Sequence, residues 1–318
     1  MNIFSAPDSR MGGFSDLSFF VMLVRRGSLA GAAQELGLTP SAASKRLAAL
    51  EQRLGVRLLH RTTRRISLTP EGETYLVEGT RVLEDLAALE ESVAGRGAKP
   101  QGLLRVSATL GFGRAHVAPL LGSFSAQFPE VEVQLHLSDR PAHPVDEAFD
   151  VQVRIGALPD ARLTARKLAL NRRLLCASPA YLARSGTPRT PRELASHACL
   201  FLREGDEAFG TWHLSSPAGQ QETVKVRGPL STNDGACALA WALDGRGIVL
   251  RSQWDAAEPL RQGLLVPVLP GWSLPEADIW LVFPTRHHLS AKTRALVDFL
   301  VEAMSGRRQP ADPLLGPW

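Results

Sequence analysis

The chain has 318 residues, of which 44% are hydrophobic and 21% are charged, and it carries a formal net charge of +4. This composition is ordinary for globular domains, and the lack of a run of about 18 uncharged apolar residues argues against a membrane-spanning helix. The N-terminus has no basic start followed by an apolar block, so it does not resemble a signal peptide. We therefore expect a cytoplasmic protein of about two or three domains.

The first predicted elements are three helices that follow a disordered leader, residues 1–13. The helix Asp16–Arg26 carries one apolar stripe, and a second, shorter helix covers Leu29–Leu36. The turn Gly37–Thr39 then leads into a third helix that starts at Pro40. Two short helices joined by a glycine-containing turn of about three residues indicate a helix-turn-helix motif.

Small side chains occupy the start of the third helix, where a helix that only builds a core would carry bulky ones. Thr39 is a capping residue, Pro40 takes the first helical position, and small or hydroxyl-bearing side chains follow as far as Ser44. The bulky Leu47 and Leu50 come only later. This pattern leaves room for a large partner to approach the beginning of the helix.

A concentrated basic segment coincides with this helix and the residues after it. Residues 40–69 contain seven lysines and arginines against one acidic residue, a local net charge of +6. Such a patch is typical of a nucleic-acid binder, and a solvated basic face is the alternative. Arg57–Leu68 is short, basic and β-prone near its end, which predicts a two-stranded wing with Thr62–Arg65 near the tip. Residues 14–69 are the predicted DNA-binding domain.

One long helix is predicted from Pro70 to Ala94, in a linker assigned to residues 70–94. Its apolar residues alternate in steps of four and three, as in a coiled-coil seam about three heptads long. We expect a second copy of the chain to pack on this seam, while packing against the same chain is the alternative. Residues 95–101 form a predicted hinge. The seam consists of Tyr75, Gly79, Val82, Leu86, Leu89 and Val93, and the expected dimerisation residues are Tyr75, Val82, Leu86, Leu89 and Val93.

Short β-like runs alternate with helical segments after the hinge, which predicts an α/β fold with a mostly parallel sheet. Because about 200 residues exceed one small sheet, we expect an effector-binding domain (102–304) with two lobes, one from residues 102–171 and 272–304 and the other from residues 172–271. Residues 305–318 are rich in Pro, Gly and Arg and are expected to be a flexible tail. The predicted strands are Leu103–Ala108, Val131–Leu137, Val151–Ile155, Arg173–Ala177, Thr223–Arg227, Ile248–Leu250, Leu264–Val268 and Ile279–Phe283, and the predicted helices are Ala115–Phe128, Pro179–Arg184, Pro191–Ala195, Asp234–Leu243 and Ala291–Met304.

The segment Phe19–Tyr75 closely resembles the winged helix-turn-helix of LysR-type transcriptional regulators. Its distinctive pieces are GSLAGAAQELGLTPSAASKRLAALEQRLGVRLLHR and the closing LTPEG, which match at fixed spacings. Further along, APLLGSFSAQFPEVEVQLHLSD, FDVQVRIGALPD, RLLCASPAYLARSGTPRTPREL and GRGIVL are similar to the family's effector-binding domain. The resemblance covers residues 16–304, and RIGALPD and CASPAYL are similar to the branch that regulates catabolic genes and responds to aromatic or organic acids.

The resemblance implies an α+β multi-domain chain with an N-terminal winged helix-turn-helix, a long linker helix and a C-terminal two-lobed α/β domain like the periplasmic binding proteins. It implies a sequence-specific transcriptional regulator that senses a small anionic or aromatic metabolite and alters promoter binding or bending. The expected partners are double-stranded promoter DNA at a roughly palindromic site, a small-molecule effector, a second copy in a homodimer, further copies in a homotetramer, and RNA polymerase. Family members begin a few residues before the first helix, so Met11 is an alternative native start to Met1.

The family's base-contacting positions fall on Pro40, Ser41, Ser44 and Lys45, and the first three are short enough to bring the helix backbone close to base edges. Lys45 stands where the family commonly has an arginine, and a lysine lacks the planar fork that recognises guanine. Arg64 matches the wing arginine that enters the minor groove. The predicted DNA-binding set is Pro40, Ser41, Ser44, Lys45, Arg46, Arg61, Thr63, Arg64 and Arg65.

Ligands of open α/β sheets bind beyond the carboxyl ends of strands, and the first such end is the segment Ser107–Gly113. Its backbone amides and the Thr109 hydroxyl suit a carboxylate. Three arginines near strand ends favour an anionic effector, whereas surface or inter-subunit ion pairs are the alternative for them. Family members often carry proline at position 251. The predicted effector-binding set is Thr109, Leu110, Gly111, Phe112, Arg140, Arg154, Asn233, Asp234 and Arg251.

No catalytic, metal-binding or cofactor-binding motif stands out, so we expect neither an enzyme nor a metal or cofactor site. Gly111–Gly113 and Gly245–Gly247 lack the third glycine of a dinucleotide fingerprint. The three scattered cysteines do not form a disulfide framework, and small buried hydrophobic side chains are the expected role for Cys176, Cys199 and Cys237. The competing interpretation is a cytosolic small-molecule-binding α/β protein without specific DNA recognition.

Overall fold

The computed structural model describes residues 9–60, 67–93, 99–138, 149–156, 163–203, 210–284, 289–309, 312 and 314–318. These residues fall into two compact units, the first within residues 1–98 and 288–290 and the second within residues 99–287 and 291–318. Over these described stretches, no helix is both long enough and apolar enough to cross a membrane.

The first unit contains three helices, a pair of short strands and one long helix. They are α1 (Ser9–Arg26), α2 (Leu29–Glu35), α3 (Pro40–Leu54), β1 (Leu59–His60), β2 (Ser67–Leu68) and α4 (Pro70–Val93). Strands β1 and β2 pair antiparallel, with Leu59 opposite Leu68. Helices α1 to α3 enclose one apolar core, which is completed from the β1 side, and its buried members are Phe19, Phe20, Leu23, Ala32, Ala33, Ala43, Leu50, Leu58 and Leu59.

Local capping chemistry sets the ends of α2 and α3. The Ser28 hydroxyl oxygen accepts a hydrogen bond from the Gly31 amide at 3.1 Å, and the Thr39 hydroxyl accepts one from the Ala42 amide at 3.2 Å. At its other end α3 stops at Gly55, whose φ of 72° is in the left-handed region that favours glycine. The helix-turn-helix geometry therefore follows from residues that are close together in sequence.

Helix α1 begins earlier than the sequence predicts. The apolar stripe indicates a start at Asp16 and disorder up to residue 13, whereas the helix begins at Ser9, so the prediction for residues 9–13 is wrong. Once the buried part of a helix is nucleated, each added residue gains a hydrogen bond at the cost of ordering only that residue. Residues 1–8 of the predicted leader lie outside the described residues.

The second unit is built on two five-stranded sheets, which define lobe I and lobe II. The first sheet has the order β4-β3-β5-β14-β6, and the second has the order β11-β8-β12-β7-β13. A separate antiparallel hairpin consists of β9 (Thr211–Ser215) and β10 (Gln221–Lys225). The sheet strands are β3 (Gly102–Thr109), β4 (Val131–Ser138), β5 (Val151–Ile155), β6 (Leu163–Ala169), β7 (Arg173–Ala177), β8 (Cys199–Leu202), β11 (Ser231–Thr232), β12 (Ile248–Ser252), β13 (Val266–Val268) and β14 (Ile279–Pro284).

Helical segments connect these strands. They are α5 (Leu110–Phe112), a π-helical turn (Gly113–Val117), α6 (Ala118–Gln127), α7 (Pro179–Ser185), a 3₁₀ helix (Pro191–Ser196), α8 (Gly235–Leu243), α9 (Gln253–Arg261), α10 (Ala291–Ala303) and a 3₁₀ helix (Ser305–Arg308). The helix predicted for Ala115–Phe128 is thus continuous with α5 and the π turn, and its helical start lies directly after β3.

Both sheets are mixed, which corrects the prediction of a mostly parallel sheet. In lobe I, β3 pairs parallel with β4 and β5, but β14 pairs antiparallel with β5 and β6. In lobe II, β8 pairs parallel with β11 and β12, but β7 pairs antiparallel with β12 and β13. The cause is the chain path: β14 returns to the first sheet after the chain has passed through lobe II, and it therefore enters from the opposite direction.

Several elements have too little local signal to be predicted. These are the strands β6, β8, β9 and β11 and the helix α9. Strand β6 is interrupted by Arg166 and Lys167, and α9 contains Pro259, which disfavours a helix in its interior. Their formation depends on neighbouring strands and on burial rather than on sequence periodicity.

The two crossovers between the lobes meet at Asn171, which is almost fully buried. Its side-chain amide donates hydrogen bonds to the Ala277 carbonyl at 2.8 Å and to the Ser252 hydroxyl at 3.3 Å. Its backbone amide donates to the Asp278 carboxylate at 3.0 Å. One side chain thus ties the outgoing crossover to the returning one and to the end of β12.

The end of the chain is packed, so the prediction of a flexible tail is wrong for its described part. Leu315 and Trp318 are buried, at 7% and 8% exposure. Trp318 packs against Phe112 and His116, which are distant in sequence, and composition alone cannot reveal such contacts.

Candidate nucleic-acid interface and effector cleft

Helix α3 presents a row of small and polar side chains to solvent from its first turn onward. Pro40, Ser41, Ser44 and Lys45 are all exposed, and the row continues through the exposed Ala48. On the opposite side, Ala43 and Leu50 are buried in the core, with Leu47 and Leu54 packed against it. The helix therefore has one face that holds it in the domain and one face that is free of bulky side chains.

Arg46 is partly exposed and lies against α1 rather than on the open face of α3, so its contacts favour a structural role over its predicted place in the DNA-binding set. Its Nε donates to the Asp16 carboxylate at 3.1 Å, its Nη2 donates to the Ser15 hydroxyl, and its guanidinium lies 5.1 Å from the Phe19 ring centroid. Asp16 also receives a weaker hydrogen bond from Arg53 Nη2 at 3.4 Å. These contacts hold α3 against α1.

Glu51, the one acidic residue of the basic segment, fixes the path of the chain into β1. Its Oε1 accepts hydrogen bonds from the backbone amides of Leu58 and Leu59, at 2.9 and 3.2 Å. The carboxylate thus replaces partners that these amides lack after the helix ends. In the sequence Glu51 stands out only as a charge, because its amide partners lie beyond the end of the helix.

The LTPEG segment closes the base of the wing. The Thr69 hydroxyl donates to the Arg57 carbonyl at 2.7 Å and accepts from the Gly72 amide at 3.0 Å. A Cβ at Gly72 would lie 2.0 Å from the Leu58 carbonyl oxygen, so only glycine fits there. The tip residues Arg61, Thr63, Arg64 and Arg65 lie outside the described residues, and their assignment stays a prediction.

Helix α4 divides into a part that packs on its own unit and a part that is exposed. Tyr75 makes an edge-to-face contact with Phe20 at 5.4 Å, and a Cβ at Gly79 would lie 2.2 Å from Leu17. Tyr75 therefore belongs to the helix-turn-helix core, which corrects its place among the dimerisation residues. Farther along, Val82 and Leu89 are 44% and 47% exposed.

The rest of the predicted seam lies on the same stretch of α4. Leu86 is half-buried, and the side chain of Val93 lies outside the described residues. The exposed pair Val82 and Leu89 is seven residues apart, the spacing at which side chains of a coiled coil recur on one side of a helix.

In lobe I, the segment after β3 forms a helix start that faces α9 of lobe II. Thr109 takes the N-cap position of α5, but its side chain makes no capping hydrogen bond. Gly111 is so close to Trp254 of α9 that a Cβ would lie 3.0 Å from the indole ring, and Phe112 meets the same ring edge-to-face at 5.5 Å. The structure thus brings Gly111 and Phe112 against lobe II, and the assignment of Thr109–Phe112 to the effector site stays a prediction.

On the lobe II side, the polar residues before α8 serve the helix itself. The Asp234 carboxylate accepts hydrogen bonds from the amides of Ala236 and Cys237, at 2.6 and 3.4 Å, and so caps α8. Asn233 is exposed beside it. Helix α8 contacts α5 of lobe I, so Asn233 and Asp234 precede a helix that lies near the start of α5, and their role in effector binding stays a prediction.

Arg251 is 5% exposed and is neutralised within lobe II. Its guanidinium forms an ion pair with Asp255 of α9 at 2.5 Å, and it lies over Gly235, where a Cβ would be 2.2 Å from Nη2. Asp255 was missed in sequence because α9 was not predicted, although the two residues have the spacing i, i+4. The charge of Arg251 is therefore not free to bind an anion in this conformation.

The other two arginines differ in what the structure records. Arg154 on β5 donates from Nε to Gln152 Oε1 at 3.0 Å, and burial lowers the pKa of its guanidinium. Arg140 lies outside the described residues. Of the three arginines predicted to favour an anion, one is therefore paired with a carboxylate and one is partly buried against an amide.

The cysteines divide into two classes. Burial raises the pKa of the Cys176 and Cys199 thiols to about 12, so both are inert side chains in the core, as predicted. Cys237 is exposed on the first turn of α8, which corrects the expectation that all three are buried.

Comparison with known families assigns both units. Residues 14–73 match the model of the bacterial regulatory helix-turn-helix protein of the lysR family, and residues 97–305 match that of the LysR substrate binding domain. The chain belongs to the LysR family of transcriptional regulators.

Individual LysR-type relatives cover nearly the whole chain. The HTH-type transcriptional regulator DmlR of Escherichia coli strain K12 is 43% identical over 286 residues, which are 90% of this chain and 92% of that protein. The HTH-type transcriptional activator TtdR of the same strain is 37% identical over 90% of this chain and 91% of that protein.

Full-length solved structures of LysR-type regulators have the same architecture. The virulence activator AphB of Vibrio cholerae has a TM-score of 0.58 and 27% identity, over 91% of this chain and 99% of that one. CrgA of Neisseria meningitidis has a TM-score of 0.57 and 32% identity, over 94% of this chain and 99% of that one.

These similarities establish what the two units do together. The chain is a DNA-binding transcriptional regulator that senses a small-molecule effector through its LysR substrate binding domain. LysR-type regulators form oligomers, and the curated relatives are transcriptional regulators rather than enzymes. A small-molecule-binding protein without specific DNA recognition is therefore not favoured.

Proposed function

We propose that this LysR-type regulator recognises its promoter by inserting the start of α3 into the major groove, with Pro40, Ser41, Ser44 and Lys45 at the base edges. The observation that supports this most is the exposed row of small side chains there. The major groove, about 12 Å wide, admits a helix only if its leading side chains do not hold it away. The capped N-terminus of α3 also carries partial positive charge that favours a nearby phosphate.

The wing completes the interface in this proposal. Arg61, Thr63, Arg64 and Arg65 follow a strand whose base is fixed by Glu51, Thr69 and Gly72. Arg64 enters the minor groove, and its neighbours neutralise phosphates. The contacts of Glu51, Thr69 and Gly72 support this role because they fix the chain on which the basic segment is carried.

The exposed part of α4 pairs two chains about a two-fold axis through Val82, Leu86, Leu89 and Val93. An isolated helix with two large exposed apolar side chains gains stability by burying them against a second copy. Two-fold symmetry then requires a roughly palindromic site with half-sites a whole number of helical turns apart. Such dimers assemble into tetramers, and the complex on the promoter contacts RNA polymerase. A regulator with these partners works in the cytoplasm, where the promoter is.

The effector is a small carboxylate, with or without an aromatic ring, that binds beside Thr109–Phe112. The start of α5 offers backbone amides and a threonine hydroxyl that makes no capping bond. Trp254 and Phe112 supply aromatic surface at the same place. Arg154 and Arg140 contribute positive charge from lobe I, while Asn233 and Asp234 border the site from lobe II.

An electrophoretic mobility shift with the DNA upstream of the protein's own gene tests the DNA-binding part. We expect binding at moderate salt that is at least about 10³-fold tighter than binding to random DNA. The same affinity for both DNAs would contradict sequence-specific recognition and favour the competing small-molecule binder.

A thermal-shift assay with succinate and benzoate tests the effector part. We expect one of these carboxylates to raise the melting temperature of the full-length protein, and Thr109→Val to reduce the rise while leaving the unliganded melting temperature within about 1 °C. Thr223→Val, at an exposed position of the β9–β10 hairpin, is the matched control. No response to either acid, or an equal response of both variants, would contradict a carboxylate site at Thr109.

A further inference from the structure

The segment Leu314–Trp318 lies across the junction of the two lobes. The Trp318 indole Nε1 donates a hydrogen bond of 2.8 Å to the carbonyl of Leu170, the residue that precedes the buried Asn171 in the outgoing crossover. Leu315 and Trp318 are both buried. The segment is therefore anchored at the crossover that joins the two lobes.

Lobe I holds the segment through an aromatic cluster. The Trp318 ring centroid lies 5.1 Å from that of His116 and 6.0 Å from that of Phe112, both in the helical segments after β3. The Arg307 guanidinium lies 4.9 Å from the Trp318 ring centroid and also donates to the Pro317 carbonyl. Because Phe112 belongs to the predicted effector-binding segment Thr109–Phe112, this segment and the tail share one packing surface.

Lobe II holds the segment through α9. Gln253 Nε2 donates to the Leu314 carbonyl, and Arg261 Nη2 donates to the main-chain oxygen of Trp318. The other end of the Gln253 amide accepts from the Arg172 backbone amide at 3.0 Å. The helix that contributes Trp254 to the cleft is thereby tied to the tail and to the crossover.

The segment has its own local structure. The Asp312 carboxylate accepts hydrogen bonds from the amides of Leu314 and Leu315, at 2.8 and 2.7 Å, and these bonds lower the pKa of Asp312. Asp312 and Gly316 also exchange two backbone hydrogen bonds of 2.9 Å. This turn orders the backbone of the tail locally, so packing the tail against the crossover costs little further conformational entropy.

We propose that Leu314–Trp318 is a strap that fixes the separation of the two lobes by binding both of them at the crossovers that join them. Movement of α9 relative to the segment after β3 requires the tail to lose either the contacts of the Trp318 ring with lobe I or the hydrogen bonds that α9 donates to the main-chain oxygens of Leu314 and Trp318. The strap thus adds a barrier to movement of the lobes relative to each other. Because Phe112 contacts Trp318, displacement of Thr109–Phe112 also shifts the strap, a consequence that rests on the proposed effector site.

Hydrogen–deuterium exchange of the full-length protein tests the strap. In Trp318→Ala we expect amides in both 110–117 (lobe I) and 253–261 (lobe II) to exchange at least about tenfold faster, because the ring contacts with lobe I are lost and the tail that accepts hydrogen bonds from α9 is released with them. In Trp318→Phe we expect a smaller increase, because the ring remains and the hydrogen bond to Leu170 is lost.

Trp272→Ala is the matched control, since Trp272 packs against the core of lobe II. This variant should accelerate exchange in lobe II and leave 110–117 unchanged. If Trp318→Ala accelerates exchange only within the tail, or within a single lobe, the strap proposal is wrong.

Discussion

The exposed face of α3 and the cleft between the lobes use their polar residues in opposite ways. On α3, Ser41, Ser44 and Lys45 point into solvent. At the cleft, Asp234 caps a helix, and Arg251 is paired with Asp255 beneath that helix. The proposed DNA-binding surface is thus already exposed, whereas charges between the lobes already serve the fold, and an effector that used them would have to rearrange lobe II.

This contrast predicts the largest stability effect at the cleft. In Asp255→Ala, the buried Arg251 loses its partner, and we expect the free energy of unfolding to fall by about 3–5 kcal/mol. Asp244→Ala is the matched control, because the Asp244–Arg246 pair is exposed and its loss should cost about 0.5 kcal/mol or less. Denaturant unfolding monitored by circular dichroism measures both; equal losses would show that Arg251 is not held by Asp255.

Gly72→Ala should have the next largest effect, at the base of the wing. The added Cβ would meet the Leu58 carbonyl at 2.0 Å, so we expect a loss of about 2–3 kcal/mol and weaker DNA binding. Gly122→Ala in α6 is the control, because no atom lies within 4 Å of its Cβ and the change should be neutral or slightly stabilising. Wild-type stability and DNA affinity in Gly72→Ala would rule out the close packing of LTPEG on β1.

Arg46→Ala separates a structural arginine from a DNA-binding one. Loss of its partly exposed contacts with Asp16 and Phe19 should lower stability by about 1 kcal/mol. The slope of log affinity against log salt should stay unchanged, whereas Arg64→Ala should flatten that slope by about one unit. A flatter slope in Arg46→Ala would return Arg46 to the DNA-binding set.

The smallest predicted effect is a pH dependence from His116. Burial lowers the pKa of His116 below 6.5, the nearby Arg307 lowers it further, and Asp255 raises it. The unfolded chain therefore takes up the proton more readily, so stability is complete above about pH 6.5 and is lost as pH falls towards the folded-state pKa.

The expected loss between pH 7 and pH 5 is small, because the ring is only partly buried. His116→Gln should flatten the dependence of the melting temperature on pH, and His213→Gln, at an exposed position of the hairpin, should not. An unchanged profile in His116→Gln would assign the pH dependence to other groups.

The same contrast explains how much could be predicted from the sequence. Ser28, Thr39 and Gly55 contact residues three positions away, so the helix-turn-helix and the exposed start of α3 are visible in local patterns. Tyr75 and Gly79 fit a dimer seam equally well in sequence, and only their contacts with α1 show that they pack within their own unit.

In the second unit, the decisive contacts join residues far apart in the chain. The antiparallel course of β14 and the packing of Trp318 on His116 depend on the path of the chain between the lobes. The pairing of Arg251 with Asp255 is local, but it becomes visible only when α9 is known to be a helix.

Selection of preferred sequences from randomised double-stranded DNA, by the wild type and by Ser44→Ala and Lys45→Ala, tests the central claim most directly. If the start of α3 reads base edges, each variant should relax or change the preference at one or two positions in each half-site, at a cost of about 1–3 kcal/mol for the original base. Lys225→Ala, an exposed lysine of the hairpin, should leave the selected sequence unchanged. An identical selected sequence for all variants, with affinity reduced uniformly or not at all, would contradict base recognition by α3.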